Sequence, residues 1–332
     1  MSDIAFHIGL LPDRPASEIA DLISHAEGLG FAGAWVADSQ SIFRDCYAAL
    51  TLAADRTTTI GLATGVTNPL TRHPAVTAGA LATLQEQSAG RAVCGIGVGE
   101  SAVQTIGRTP ARLAELEQAT HVLRGLLSGE SVSWEGAEIR LTWTHTPVPI
   151  WFASTGPRSL RLGGRLADGV LFQVGAAPEL VTYALRAIDA GADEAARDGR
   201  EVGRLVRLAC SVARDRDWAR REVRGYVAAA AGTVYGSVPH DSIPADLLDD
   251  LRRIKEQYDY FEHASATARH EELITDRIID AISISGTPDE AVPRFRELVE
   301  LGVDGFVLPI TTSDPRATME VLASDVIPRV RS

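Results

Sequence analysis

The sequence predicts an α/β chain built as a single (β/α)8 barrel. Short β-branched runs alternate with longer amphipathic runs through most of its 332 residues. Eight of the short runs have the character of buried strands, and 45% of the chain is hydrophobic, which suffices for a large core. The alternation also fits a doubly wound open sheet, but eight strands in one chain of this length favour the closed barrel.

The predicted strands can be read in chain order as IAFHIGL, GAWVAD, TTIGLATGV, RAVCGIGVG, VPIWFAST, DGVLFQVG, RLVRLACSVAR and DGFVLPIT. Helix boundaries support this order. The first predicted helix spans Ala16–Leu29 and stops at Gly30, and another begins near Pro74 with proline in its first turn. A small β-excursion, SVSWEGAEIRLTWT, precedes the fifth strand. Between the seventh and eighth strands the alternation lapses, which predicts a helical insertion at about 215–285 within one domain, 1–332.

The net charge and the cysteine content indicate which partners and which cellular compartment to expect. The net charge of −12 argues against a nucleic-acid or anionic-membrane partner. No apolar run reaches the roughly 20 residues of a membrane span, and the N-terminus lacks the pattern of a signal peptide. The cysteines are three in number and far apart, which fits a reducing compartment. We therefore expect a cytoplasmic protein.

The near absence of lysine disfavours the reaction classes that depend on a lysine side chain. The 32 basic residues are 31 arginines and Lys255, which lies in a charged, helical segment. A phosphate-binding loop or a Schiff base would have to use that residue, so both are disfavoured. The sequence contains neither HExxH nor GxSxG, and no metal site or nucleophilic hydrolysis is predicted. A barrel enzyme acting on sugar phosphates is also disfavoured, because no glycine-rich loop follows the last strand.

Three loops that follow predicted strands are candidates for function, since chemistry in such barrels lies at the carboxyl ends of strands. The first is GVTNPLTRHP after the third strand, in which Pro69 forces Asn68 into an extended conformation. An ordinary turn into the next helix would have the same composition. His73 in this loop is interpreted as a residue that fixes the loop.

The second loop is CGIGVGES after the fourth strand. Its alternate glycines let the backbone approach a ligand without interference from a Cβ atom. The spacing resembles a dinucleotide fingerprint only weakly, because it opens the fourth unit of the barrel and not the first. Close packing inside the barrel is the competing explanation. Glu100, at the end of this loop, is either a carboxylate near a ligand or a cap for the next segment.

The third loop is ASTGPRSLRL after the fifth strand. Pro157 stands at the first position of a predicted helix, whose free N–H groups and dipole suit a phosphate. Arg158 would add a charge-assisted contact. A helix cap without a ligand would look similar. After the sixth strand, Gln173 is a candidate to face a substrate.

In this order and on these strands, the three loops resemble the luciferase-like superfamily of flavin-dependent oxidoreductases, over nearly the whole chain from Ile4 to Ile327. GVTNPLTRHP and GVGESAVQTIGRTPARLAELEQA resemble its coenzyme F420-dependent branch, which includes the methylenetetrahydromethanopterin reductases. The resemblance implies an F420-dependent oxidoreductase that transfers hydride between the deazaflavin and a small organic substrate. It also implies a homodimer.

The resemblance further implies roles for individual residues. A non-prolyl cis peptide bond between Gly65 and Val66 would brace the deazaflavin ring. Asp38, which matches an acidic residue of the family close to the ring, would be the catalytic residue that orients the ring or the substrate, while the general acid stays unidentified. The remaining cofactor contacts would be Thr67 and Asn68 at the ring or its side chain, Gly97, Val98 and Gly99 along the ribityl path, Thr155, Gly156, Pro157 and Arg158 at the phosphate, and Gly175 beside it.

The sequence differs from the F420-dependent branch at Ser39. Many deazaflavin enzymes carry a histidine at this position, directly after the acidic residue that corresponds to Asp38. A second difference is at Gly9, where methanopterin reductases carry glutamate. Both put the archaeal one-carbon substrate in doubt and leave the cofactor prediction standing. Two alternatives remain open at this point: an FMN-dependent luciferase-like monooxygenase that uses reduced flavin and oxygen, and a barrel that binds flavin without catalysis.

Overall fold

The computed structural model describes residues 4–257 and 273–332. Eight parallel strands close into a barrel in the order β1-β12-β9-β8-β7-β4-β3-β2, which confirms the predicted fold class. The barrel strands are β1 (Ala5–Leu10), β2 (Gly33–Val36), β3 (Gly61–Thr64), β4 (Ala92–Ile96), β7 (Ile150–Ser154), β8 (Gly169–Phe172), β9 (Gly203–Arg207) and β12 (Gly305–Pro309). Seven of them lie within the segments predicted as strands, and β9 begins one residue before its predicted segment, at Gly203.

Helices follow most barrel strands, as amphipathic periodicity predicts. Those of the first half of the chain are α1 (Ala16–Gly28), α2 (Cys46–Arg56), α3 (Pro74–Gln87), α4 (Ser101–Gln104) and α5 (Leu113–Leu127). Those of the second half are α6 (Pro157–Leu166), α7 (Pro178–Glu194), α8 (Arg216–Glu222), α9 (Arg224–Ser237), α10 (Ala245–Gln257), α11 (Asp276–Ile282), α12 (Pro288–Glu300), α13 (Pro315–Val321) and α14 (Ile327–Arg331). The predicted β-excursion is an antiparallel hairpin of β5 (Val132–Trp134) and β6 (Ala137–Ile139).

The seventh predicted strand, RLVRLACSVAR, is divided into two strands, so the prediction of one continuous strand was wrong. β9 pairs with β8 and β12 in the barrel, whereas β10 (Ala209–Val212) pairs in parallel with β11 (Ser283–Gly286) in a separate two-stranded sheet. Leu208 separates β9 from β10. Sequence periodicity cannot reveal such a break, because apolar residues continue through it.

The segment predicted as a helical insertion contains α8, α9, α10 and α11, while residues 258–272 of it lie outside the described part of the chain. Its last residues form β11, which the sequence analysis missed because four residues, SISG, give too little pattern to separate a strand from a helix end. Arg220 of α8 fixes this segment by ion pairs to Asp276 and Asp280 of α11, at 3.0 and 2.7 Å.

The described chain divides into two compact units. The N-terminal unit comprises residues 9–153 and 166–168, and the C-terminal unit comprises residues 4–8, 154–165, 169–257 and 273–332. The N-terminal core includes Trp35 and Trp151, whose rings meet edge to face at 6.0 Å. In the C-terminal core, Phe6, Phe295 and Phe306 form a buried aromatic cluster with centroids 4.8–5.4 Å apart. The single-domain interpretation stays a prediction.

No helix within residues 4–257 or 273–332 is long and apolar enough to cross a membrane. The three cysteines, Cys46, Cys94 and Cys210, are free and buried. Burial raises the pKa of Cys94 and of Cys210 to about 12, so both remain neutral thiols at physiological pH.

Two glycines let the backbones of α6 and α7 touch. A Cβ atom at Gly191 would lie 2.0 Å from the Arg161 carbonyl oxygen, and one at Gly164 would lie 2.0 Å from that of Ile188. We expect Gly191→Ala to lower the free energy of unfolding by about 2–4 kcal/mol, because the two helices must separate to admit the methyl group. Urea denaturation followed by circular dichroism measures the change.

The matched control is Gly79→Ala in α3, where a Cβ atom meets nothing within 4 Å. Alanine there should raise the free energy of unfolding by up to about 1 kcal/mol, since it reduces the freedom of the unfolded chain and favours helix. Equal effects of the two substitutions would contradict the assigned contact between α6 and α7.

Glu27, near the end of α1, organises the turn before β3. Its Oε1 accepts hydrogen bonds from the backbone N–H groups of Thr58, Thr59 and Ile60 at 2.8, 2.6 and 3.0 Å. Although burial raises the pKa of Glu27, these donors outweigh that effect and lower the pKa from 4.5 to about 2. A depressed pKa means that the carboxylate stabilises the fold fully above pH 4.5 and loses this contribution as the pH falls towards 2.

We expect Glu27→Gln to lower the free energy of unfolding at pH 7 by about 1–2 kcal/mol, a value reduced for the partial solvent exposure of the side chain. The difference from wild type should shrink between pH 4.5 and pH 2 in denaturant titrations. Glu86→Gln, at an exposed position of α3 in the same unit, is the control and should show no such dependence. A pH-independent difference would contradict the ionic role of Glu27.

Candidate functional site

Asp38 lies two residues beyond the end of β2 and is 3% exposed. Its Oδ2 accepts a hydrogen bond from Nη1 of Arg72 at 2.5 Å. Nη2 of Arg72 reaches Asp45 at 3.1 Å, and the guanidinium carbon lies 4.8 Å from the centre of the Tyr47 ring. The predicted acid is therefore one half of a buried ion pair, and its partner comes from the loop after β3.

The loop after β3 joins the neighbouring strand. The peptide bond between Gly65 and Val66 is cis, as predicted. Thr67 donates its backbone N–H to the Gly95 carbonyl at 2.9 Å and accepts at its own carbonyl from Gly97 at 3.0 Å. These bonds extend the β3–β4 pairing past the end of β3 and place the predicted residues of the two loops next to each other.

Asn68 orders the rest of this loop. Its Oδ1 accepts from the backbone N–H groups of Leu70 and Thr71, both at 3.0 Å, which fixes which end of the amide is the oxygen. The side chain is 2% exposed, and its Nδ2 has no acceptor within hydrogen-bonding distance among the described residues. A buried donor without an acceptor is costly, so this amide is suited to a bound ligand with an acceptor atom.

The alternate glycines after β4 have different physical causes. A Cβ atom at Gly95 would lie 2.1 Å from the Thr64 carbonyl oxygen, so packing alone requires glycine there. Gly99 has φ +80°, and a Cβ atom would lie 2.6 Å from Cγ2 of Val103 and 2.9 Å from Cβ of Asn68. At Gly97 the nearest atoms would be 3.4 Å away, an ordinary contact, so neither packing nor φ explains the glycine.

Similar local packing explains Gly65, where a Cβ atom would lie 2.9 Å from the backbone of Trp35. Val66 contacts the position where Gly97 would carry a Cβ atom, at 3.4 Å. The Val98 carbonyl accepts from Ala111 at 2.9 Å, which holds the end of this loop. The structure thus brings together the predicted residues of the N-terminal unit through the β3 and β4 loops.

Ser39 replaces the expected histidine with a short hydroxyl. Its Oγ lies 2.7 Å from Oγ of Ser101 at the start of α4, and the next residue, Gln40, donates to the Ala102 carbonyl at 2.7 Å. These contacts link the loop after β2 to α4. Because a serine hydroxyl does not titrate near neutral pH, this position cannot supply the proton that a histidine would.

In the C-terminal unit, Pro157 begins α6 as predicted, and Gly156 precedes it. Arg158 is exposed, and the Ser159 hydroxyl donates to the Gly156 carbonyl at 2.9 Å. The Thr155 carbonyl accepts from the hydroxyl of Tyr183 on α7 at 3.3 Å. Burial raises the pKa of Tyr183 to about 12, so this hydroxyl remains a donor.

Gly175 follows β8 with φ +91°. A Cβ atom there would lie 2.8 Å from the Ala281 carbonyl oxygen, which also accepts from the N–H groups of Ala176 and Ala177. The glycine therefore lets this loop dock on the end of α11. Gln173 is half-buried and donates its backbone N–H to the Ser154 carbonyl at 3.3 Å.

The remaining candidates have local roles. Nδ1 of His73 accepts from the Ala75 N–H at 3.1 Å and caps α3, which confirms its interpretation as a loop-fixing residue. Glu100 is exposed at the N-cap position of α4, and its side chain makes no capping bond. Within the part of the chain that the structure describes, no group of three His, Cys, Asp or Glu side chains is placed to hold a metal ion.

Sequence reasoning missed three contributors to these loops: Arg72, Tyr183 and Ser237. Arg72 stands within the motif GVTNPLTRHP, but nothing in the sequence pairs it with Asp38, 34 residues earlier. The carbonyl of Ser237, at the end of α9, would lie 3.3 Å from a Cβ atom at Gly156. Such contacts between distant segments have no sequence signal in a single chain.

Comparison with known proteins places these features in a family. The model of the luciferase-like monooxygenase family matches residues 4–305. The 5,10-methylenetetrahydromethanopterin reductase of Methanolobus tindarius is 32% identical to this chain, over 98% of the chain and 100% of the reductase. An F420-dependent glucose-6-phosphate dehydrogenase of Nakamurella multipartita is 29% identical, over 95% and 93% of the two chains.

Among solved structures, the coenzyme F420-dependent tetrahydromethanopterin reductase of Methanopyrus kandleri superposes with a TM-score of 0.84 at 27% identity, over 99% of this chain and 100% of that one. A monooxygenase from Streptomyces bottropensis gives a TM-score of 0.68 at 22% identity, over 98% and 99% of the two chains. At 22% identity, the similarity to this monooxygenase shows only a shared fold.

Proposed function

The chain belongs to the luciferase-like monooxygenase family, and we propose that within it the protein is a coenzyme F420-dependent oxidoreductase acting on a small organic substrate. The similarity to the methanopterin reductase over almost the full length of both chains carries this proposal. Bound F420 would supply the hydride chemistry, because a deazaflavin accepts or donates hydride, while the protein binds and orients it.

We assign the ring and its ribityl side chain to the N-terminal unit. Asp38, Gly65, Val66, Thr67 and Asn68 are the proposed ring contacts, and Gly97, Val98 and Gly99 are the proposed ribityl contacts. Two observations fit this group: the buried Asn68 amide has an unused donor, and position 97 is a glycine although neither packing nor φ requires one. The donor suits a carbonyl oxygen, of which the deazaflavin ring has two.

We assign the phosphate to the start of α6, at Thr155, Gly156, Pro157 and Arg158, with Gly175 in the neighbouring loop. Helix N-termini present N–H groups that lack intrahelical partners, and the helix dipole favours an anion there. Pro157 occupies the first helical position, where its missing N–H group costs no hydrogen bond within the helix.

A ligand titration tests the cofactor. The purified protein is titrated with F420 and, separately, with oxidised and reduced FMN, and the fluorescence or absorbance of the ligand is followed. We expect micromolar binding of F420 and reduction or oxidation of bound F420 by an alcohol or aldehyde panel. Micromolar binding of reduced FMN without binding of F420 would favour the monooxygenase alternative. Binding of F420 without turnover of any substrate would favour a non-catalytic barrel.

Arg158 provides a separate test of the phosphate contact. We expect Arg158→Ala to raise the Kd for F420 about tenfold, because a charge-assisted hydrogen bond is lost, and to weaken the salt dependence of binding. The control is Arg161→Ala one turn later, whose side chain faces Glu194 at 3.7 Å. Equal affinities for the wild type and Arg158→Ala would contradict the phosphate assignment.

We also propose that the protein is a cytoplasmic homodimer. Free, buried cysteines are compatible with a reducing compartment. Leu52 on α2 and Val76 on α3 are 39% and 58% exposed, and we propose that these two side chains lie in the subunit interface. Light scattering coupled to size-exclusion chromatography measures the oligomeric state, and replacing both residues by serine should shift it to the monomer.

A further inference from the structure

Arg72 is held on three sides within the N-terminal unit. Its Nη1 donates to Asp38, its Nη2 donates to Asp45, and its guanidinium plane lies over the ring of Tyr47. The two carboxylates differ in environment, since the side chain of Asp38 is 2% exposed and that of Asp45 is 55% exposed. One arginine thus connects a buried acid with the surface.

The charge state of this arginine is secure. Burial alone would lower the pKa of Arg72, but the hydrogen bond and the charge of Asp38 outweigh burial and raise it above the usual 12.5. Burial, together with the charges of Asp38 and Asp45, raises the pKa of the Cys46 thiol well above 9, so this neighbouring group adds no negative charge near Asp38. The hydrogen bond that Asp38 accepts therefore comes from a charged donor.

We propose that Arg72 is a positioning residue, which holds Asp38 as an ionised hydrogen-bond acceptor for an N–H or O–H donor of the bound cofactor. This inference rests on the proposed F420-dependent function. A buried carboxylate without a partner is strongly disfavoured, and Arg72 gives Asp38 one charge-assisted hydrogen bond from Nη1 while its Nη2 is held by Asp45. Asp38 consequently acts by accepting a hydrogen bond and is not the proton donor of the reaction.

The role of Asp45 separates this proposal from a merely structural one. Asp45 caps α2, because its Oδ1 accepts from the Ala48 N–H at 2.9 Å, and its other oxygen holds Arg72. Asp45→Asn preserves the cap and removes the outer charge. If Arg72 acts through Asp38, the outer contact contributes little to cofactor affinity, whereas removing the inner contact costs much of it.

The experiment is a double-mutant cycle on F420 affinity, with thermal unfolding recorded for every variant. The variants are Arg72→Met, Asp38→Asn, the combination of the two, Arg72→Lys and Asp45→Asn. We expect Arg72→Met and Asp38→Asn each to raise the Kd by about 10- to 100-fold, and the double variant to bind no more weakly than Asp38→Asn. Arg72→Lys should recover most of the affinity, and Asp45→Asn should stay within about threefold of wild type.

Steady-state kinetics provide one further readout. The loss in Arg72→Met should fall on the KM for F420 and leave kcat at saturating F420 within a small factor, which a general loss of folded protein would not produce. If Arg72→Met alone does not fold, two variants provide the comparison: Arg72→Lys, and the double variant, which leaves no buried charge without a partner because Asp45 is exposed.

The outcomes are distinct. Losses that multiply in the double variant, or an unchanged Kd in Arg72→Met, overturn the inference while the proposed function stands. A double variant that binds much more weakly than Asp38→Asn also overturns it when Arg72→Met does not fold. A wild-type chain that binds no F420 overturns the proposed function and this inference together.

Discussion

Gly99→Ala is expected to raise the Kd for F420 at least about 100-fold. Gly99 has φ +80°, and an added Cβ atom would lie 2.6 Å from Val103 and 2.9 Å from Asn68. The methyl group must therefore displace Asn68, whose Oδ1 holds the Leu70 and Thr71 amides, in addition to straining the backbone. A fluorescence titration with F420 measures the loss.

Gly107→Ala is the matched control for this substitution. Gly107 has φ +73°, close to that of Gly99, but a Cβ atom there meets nothing within 4 Å. Both variants carry the same kind of backbone strain, of order 1 kcal/mol, and only Gly99→Ala adds the clash. If the two variants bind F420 equally well, the loop after β4 does not contribute to the cofactor site in the proposed way.

Alternating apolar runs made the barrel predictable, because each parallel strand is buried on both faces and each helix on one. β9 and β10 show where this logic fails. The run Arg204–Arg214 reads as one strand, yet the chain leaves the barrel after Arg207 and pairs with β11. Nothing within a strand of continuous β propensity indicates which neighbour it will pair with, since pairing depends on segments far away in sequence.

In the candidate site, too, local features could be predicted from the sequence, whereas contacts between distant segments could not. Each loop was found because glycine, proline and asparagine have local conformational requirements that a sequence displays. The sequence does not show whether a glycine in these loops is required by packing or serves a ligand. Gly95 is required by the carbonyl of Thr64, 31 residues away, whereas nothing nearby requires Gly97. The pair of Asp38 and Arg72 was likewise hidden, because an ion pair is a property of two positions that only the folded chain brings together.

Asn68→Asp is expected to raise the Kd for F420 by about 10- to 100-fold while the loop stays folded. The carboxylate keeps an oxygen for the Leu70 and Thr71 amides, so the turn survives. The other end of the side chain changes from a buried donor without a protein acceptor into an acceptor, which would repel a carbonyl oxygen of the bound cofactor. The titration is the same as for Gly99→Ala.

Gln85→Glu makes the same change, from an amide to a carboxylate, at a buried side chain whose two ends are both hydrogen-bonded by the protein. Its Oε1 accepts from the Ala92 N–H at 2.9 Å, and its Nε2 donates to the Pro147 carbonyl at 3.0 Å. There the lost donor should lower the free energy of unfolding by about 1–3 kcal/mol and leave the Kd for F420 unchanged. Asn68→Asp should show the reverse, with the loss in binding exceeding the loss in stability. If both variants lower only the free energy of unfolding, the Nδ2 of Asn68 does not bind the cofactor. Removing a donor that binds the cofactor would raise the Kd for F420.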